Sequence, residues 1–134
     1  MDLLLDTHIA LWALDASPRL SAEATTLLLD PKNTPCVSVV SGWEVSIKHL
    51  IDPSNIALAG SGFLARCREA GYRIIDISEN HIEAYDQLDS SKAEGKHKDP
   101  FDRMLIAQSK ADSMLLVTHD KKLQLYNEPL VCVV

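Results

Sequence analysis

No stretch of the 134 residues approaches the roughly 20 consecutive apolar positions that a membrane-spanning helix requires, so no membrane partner is expected. The N-terminus carries Asp2 where a secretory leader would carry a basic region, which points to the cytoplasm. Only three cysteines occur, Cys36, Cys67 and Cys132, and their spacing fits no metal motif. An odd count, with two of the three in apolar runs, reads as buried free thiols in a reducing compartment. The five histidines contain no pair four residues apart and no HExxH, which argues against zinc. His8 beside Asp6 and His119 beside Asp120 leave only a mixed metal site open. There is no GxxxxGK[ST], so nucleotide binding through a P-loop finds no support. Basic charge is short as well. A formal net charge of −6 argues against a generic nucleic-acid coat. It leaves room for an enzyme acting on nucleic acid, because a bound divalent cation reverses the field of an acidic cleft.

The length fits one domain, residues 1–134, able to bury about two thirds of its unfolded surface. Its starting point is Met1-Asp2-Leu3-Leu4-Leu5-Asp6-Thr7-His8, a short apolar run that stops at a carboxylate. Such a run suits a strand buried on both faces. Asp6 then stands at the carboxyl end of a central strand, where open α/β sheets bind their ligands. Thr7 to Leu14 suits a short buried helix, and Ser21 caps another that reaches about Asp30. Cys36 to Val40 is a β-branched run that reads as a second strand, followed at Ser41 by a helix through about Leu50.

Gly60 to Gly71 encloses a helix with Phe63, Leu64 and Cys67 on its apolar side, and Tyr72 to Ile77 reads as a third strand. Ser78 and Glu79 start a helix ending near Leu88. Asp89 to Lys98 is a polar loop, and Pro100 opens a helix to about Asp112. Met114 to Val117, a helical segment from His119 to Leu125, and a strand from Leu130 to Val134 complete the chain. Strand and helix alternate throughout, which predicts an α/β fold with a mainly parallel sheet of about five strands and helices on both faces. Right-handed crossovers place every strand-to-helix junction on one edge.

That edge gathers acids from four segments. Asp6 ends the first strand, Glu44 lies in the helix after the second, Asp99 and Asp102 open the helix at Pro100, and Asp120 follows the fourth strand. The ten-residue loop before Pro100 can extend to about 33 Å, enough to return across the domain. Packed carboxylates repel and raise one another's pKa, a cost that a hard divalent cation removes. Mg²⁺ or Mn²⁺ among oxygen ligands is suited to phosphodiester hydrolysis.

Each acid also has a plainer reading. Ser41-x-x-Glu44 is a capping-box pattern. Asp99-Pro100-x-Asp102 reads as an N-cap, an N1 proline and an acid favoured by the helix dipole. Asp6 has no capping partner except the Thr7-to-Ala10 turn, and Asp120 fits a simple loop acid. Lys96, His97, Lys98 and Arg103 form a charged stretch beside Asp99 and Asp102, and such groups also suit an RNA backbone. Trp12, Trp43 and Phe101 read as core or interface residues rather than base-stacking groups.

LLLDTHIALWAL at the start, SGWEVSIK at the second junction, DPFDRMLIAQ in the late helix and VTHD after the fourth strand resemble, in this order, the PIN domain, and within it the VapC-type toxin ribonucleases of bacterial toxin–antitoxin pairs. The resemblance implies catalytic roles for Asp6, Glu44, Asp102 and Asp120, with Asp6, Glu44 and Asp102 as metal ligands and Asp99 and Thr118 in support. It further implies Mg²⁺- or Mn²⁺-dependent endonucleolytic cleavage of RNA, neutralisation by a cognate antitoxin, and a homodimer. His49-Leu50-Ile51-Asp52-Pro53 departs from the Gly-Lys-Leu run of many relatives. Two rivals stay open: an inactive α/β interaction module whose acids are all caps, and a phosphatase of the haloacid-dehalogenase type. The latter needs an aspartate two residues beyond its nucleophile, where this chain has His8.

Overall fold

A computed structural model of the chain describes residues 1–93, 95–97 and 99–134. The leucine run forms β1 (Asp2–Leu5), and Leu3, Leu4 and Leu5 are all at most 1% exposed. Leu4 packs into one hydrophobic core, whereas Leu3 and Leu5 pack into another. The alternation of side chains along a strand thus makes both faces of the sheet apolar, as the continuous run requires. β1 is the middle of five parallel strands in the order β3-β2-β1-β4-β5, with β2 (Thr34–Ser38), β3 (Arg73–Ile75), β4 (Leu115–Thr118) and β5 (Val131–Val133).

Helices cover both faces, as expected for right-handed crossovers. α1 (Thr7–Leu14), α2 (Ala22–Leu29) and α4 (Gly60–Glu69) cover the core of Leu3, Leu5, Val37, Phe63 and Val117. α5 (Glu79–Asp86) and α6 (Pro100–Asp112) cover the core of Leu4, Cys36, Ile106 and Leu116. α3 (Val39–Ile51) lends Val40 to the second core and Val45 to the first. A short 3-10 helix (Lys121–Tyr126) follows β4. No helix among the described residues is long and apolar enough to cross a membrane.

The second junction differs from expectation. β2 ends at Ser38, three residues before Ser41, and α3 already begins at Val39. Ser38 is the N-cap, its hydroxyl accepting from the Val40 amide at 3.1 Å. The capping box of Ser41 and Glu44 therefore does not exist, and Glu44 sits in the second helical turn. The β-branched pair Val39-Val40 favours a strand locally, but burial of Val40 in a helical packing site outweighs that weak preference. α1 and α6 keep the expected bounds, while other boundaries shift by a few residues; β3, expected over Tyr72 to Ile77, keeps only Arg73–Ile75.

α3 is held in place by close approach to α4. A Cβ on Gly60 would lie 1.9 Å from the Gly42 carbonyl oxygen and 2.3 Å from Ser46 Oγ. The Gly60 amide instead donates to Ser46 Oγ at 2.9 Å. All three cysteines are free thiols. Burial raises the Cys67 thiol to about 11, which keeps it inert as a nucleophile at neutral pH. Cys132 is only partly buried.

Candidate active site

The carboxyl edge of the sheet is where side-chain oxygens from separate segments meet. Asp6 directly follows β1 and continues its pairing, with its amide donating to the Val117 carbonyl at 3.0 Å. It is also the N-cap of α1, so Oδ1 accepts from the Ile9 amide at 3.1 Å. Oδ2 accepts from the Thr118 hydroxyl at the end of β4. Thr118 Oγ1 in turn accepts from the Asp120 amide at 3.1 Å, and Asp120 Oδ1 accepts from the Lys122 amide at 2.9 Å. One hydroxyl thereby couples the first acid to the segment that carries the last.

Glu44 is 3% exposed and caps nothing. Its Oε1 lies 2.7 Å from the Thr7 hydroxyl, which also reaches Ser41 Oγ at 2.8 Å. Its Oε2 accepts from Lys48 Nζ, one helical turn on, at 2.6 Å. Asp99 caps α6, with Oδ1 accepting from the Phe101 amide at 2.8 Å and the Asp102 amide at 3.3 Å. Asp102 Oδ2 stands 3.2 Å from His97 Nε2, and His97 Nδ1 stands 2.7 Å from the Tyr126 hydroxyl.

Asp6, Glu44, Asp99, Asp102 and Asp120 all line one cleft of about 310 Å³, which also receives Lys48 and Lys121. Four chain segments converge there, as the order of strands and helices requires. Burial, and then the negative charges of Asp99, Asp6, Glu44 and Asp120, raises the Asp102 carboxyl to about 8. An acid pushed that far marks a place where negative charge is under-compensated by the protein itself. The acids lining the cleft offer carboxylate oxygens, and one ring nitrogen of His97 and one carboxylate oxygen each from Asp102 and Asp120 lie within 4.8 Å of one another. The residues present fit a divalent cation.

Other expectations fare differently. His8 and His119 line the cleft with their ring centroids 6.0 Å apart, but the histidine grouped with acids among the described residues is His97. Arg103, expected to contact RNA, lies over Tyr85 and Tyr126, 4.8 and 5.9 Å from their ring centroids, and lines none of the cleft. Lys96 is exposed but also outside the lining, and Lys98 lies outside the described residues. Trp43 is 61% exposed and meets the edge of Phe101 at 5.1 Å. Sequence reasoning missed Lys48, whose signal was the i, i+4 spacing from Glu44, and it missed the Tyr126–His97–Asp102 chain, which has no local signature. His49, at the departure from the relatives' pattern, uses Nδ1 to hold the Ile56 carbonyl at 2.7 Å and so fixes the following loop.

Residues 3–128 match the family model of the PIN domain. The chain belongs to the PIN domain family. None of the curated proteins matches it. Among solved structures this PIN domain is similar to VapBC2 from Rickettsia felis bound to a DNA fragment from its promoter, at 20% identity and a TM-score of 0.69, covering 100% of this chain and 98% of that one. It is also similar to VapBC-1 from nontypeable Haemophilus influenzae (18% identity, TM-score 0.66, 95% and 93% covered). A toxin–antitoxin complex from Klebsiella pneumoniae gives 23% identity and a TM-score of 0.62, with 98% and 96% covered. At such identities the likeness is one of fold.

Proposed function

We propose that this PIN domain, one domain over residues 1–134, is a metal-dependent endoribonuclease and the toxin of a toxin–antitoxin pair. It acts in the cytoplasm as a homodimer and is neutralised by a cognate antitoxin. The observation that carries the nuclease reading is the gathering of five acids in one cleft, with the Asp102 carboxyl raised to about 8. Asp6, Glu44 and Asp102 would hold Mg²⁺ or Mn²⁺, with Asp120 completing the acidic set and Asp99 and Thr118 in support. When bound, such a cation supplies Lewis-acid polarisation of a phosphate and activation of water. The chain's own contribution is positional. Thr118 and the Ile9 amide aim Asp6, Thr7 and Lys48 fix both oxygens of Glu44, and His97 orients Asp102. A caps-only interaction module is disfavoured by Glu44, buried at a position where no capping role exists. The toxin and antitoxin roles rest on the likeness to the VapBC complexes.

Asp6→Asn is expected to lower Mg²⁺-dependent cleavage of single-stranded RNA by roughly 10²–10⁴-fold, with the thermal transition retained. Glu44→Gln keeps an acceptor for Thr7 and is expected to lose activity with little loss of stability. Undiminished wild-type cleavage in excess EDTA would refute the metal requirement. Growth arrest on expression, relieved by Asp6→Asn and by co-expression of a cognate antitoxin, tests the toxin reading. Sedimentation at micromolar protein tests the homodimer.

A further inference from the structure

Beside the acid cleft lies a second groove of about 390 Å³, and His8 lines both. One wall is a single face of α1, since His8, Leu11, Trp12 and Asp15 recur at helical spacing. Three aromatic rings stand together where the groove meets the cleft. Trp12 and His119 have centroids 4.5 Å apart at 61°, and His8 lies 5.8 Å from Trp12. His8 and His119 are exposed, and Trp12 is half-buried, so ring surface faces solvent at the mouth. Farther along, the groove holds Arg19 and Arg66. Arg66 is anchored by the Leu14 carbonyl and by Asp15, whereas no carboxylate pairs with exposed Arg19 among the described residues.

We propose that the His8–Trp12–His119 cluster is a stacking subsite for the base next to the scissile phosphate, and that Arg19 receives a phosphate farther along the same RNA strand. The inference rests on the nuclease reading and deepens it by assigning a path to the substrate. The order of features along the path matches a nucleotide strand: acids for the reacting phosphate, then π surface for a base, then a cation for a backbone phosphate. Aromatic stacking tolerates any base and contributes about 1–3 kcal/mol per base, so this subsite adds affinity without dictating sequence. The groove therefore takes unpaired RNA, because a base inside a duplex offers no free face.

The test uses Trp12→Leu, which keeps an apolar side chain on α1 and removes the ring. On a single-stranded 12-nucleotide RNA, kcat/KM is expected to fall roughly 5- to 100-fold. The same variant is expected to lose little on a strand with an abasic residue beside the cut. Trp12 and Trp43 are the two tryptophans, so in a Trp43→Phe, Asp6→Asn background the emission reports Trp12 alone. The RNA is expected to quench it saturably, and the abasic strand less so. Should Trp12→Leu fail to fold, Arg19→Gln decides: the salt dependence of RNA binding is expected to fall by about one unit of slope. RNA cleaved equally by wild type and folded Trp12→Leu, with no quenching on binding, would overturn the subsite and leave the nuclease standing. Wild type that neither binds nor cleaves RNA, or quenching by an antitoxin peptide alone, would overturn both or assign the groove to a polypeptide.

Discussion

Both oxygens of Asp6 are held by neutral donors from neighbouring elements, the Ile9 amide and the Thr118 hydroxyl. Asp102, in the same cleft, has His97 from a loop as its partner and takes the accumulated charge of the other four acids. The two halves of the site are built differently. On the Asp6 side the supports are strand ends and helix caps that the fold needs anyway. On the Asp102 side a helix start is thrust into a field that the protein alone does not balance. At Asp102, burial and the charges of the other four acids fall together on a carboxylate with one side-chain partner, and its proton is held accordingly.

The largest effect that can test this contrast is Asp102→Asn. Activity is expected to fall by about 10²–10⁴-fold. Metal-free stability is expected to behave in the opposite sense. A carboxyl at about 8 in the folded chain and near 4 in the unfolded chain binds its proton more tightly when folded. Stability contributed by the neutral form is then complete below pH 4, falls as pH rises through the window to about 8, and is flat above it. Urea titrations in EDTA are expected to show that decline in wild type, its loss in Asp102→Asn, and its suppression by added Mg²⁺. A wild-type curve with no slope across the window would break the comparison.

Thr118→Val comes next. It strips a buried donor from Asp6 and an acceptor from the Asp120 amide, at an expected cost of about 1–3 kcal/mol in urea denaturation. Lys48→Met takes a half-exposed cation from the buried Glu44 carboxylate, so its expected cost in metal-free urea denaturation is about 1–3 kcal/mol, with a further change in metal affinity. Tyr126→Phe removes the hydroxyl behind His97 on the Asp102 side, and the expected cost is about 0.5–1.5 kcal/mol. Equal costs for Thr118→Val and Tyr126→Phe would mean that both halves are supported alike.

Much of this was legible from residues alone. Leu3-Leu4-Leu5 announces a strand buried on both faces, and Asp6 inherits its place from that. Asp99-Pro100-x-Asp102 marks a helix start, and the need to cross back to the next strand puts it on the same edge. The second junction was misplaced because Val39-Val40 looks like strand in isolation, and only packing on α6 and α4 decides otherwise. Lys48 stands one helical turn after Glu44 wherever the helix begins, so its spacing was legible, while the burial that makes it the partner of Glu44 was not. Arg103 could not be placed from charge alone: the turn of α6 that aims Asp102 into the cleft sends its neighbour toward the tyrosines. The Tyr126–His97–Asp102 chain joins residues 97, 102 and 126 through a loop whose course no local pattern dictates.

The order β3-β2-β1-β4-β5 puts the earliest of these five strands in the middle of the sheet. During synthesis β1 emerges with one flank waiting for β4, more than a hundred residues later, and the Thr118 hydroxyl that steadies Asp6 arrives with it. Such distant pairing is slow to form and cannot be anticipated by a shorter chain. A chain cut short anywhere before residue 120 lacks the last acid of the cleft, so an incomplete copy carries no finished blade.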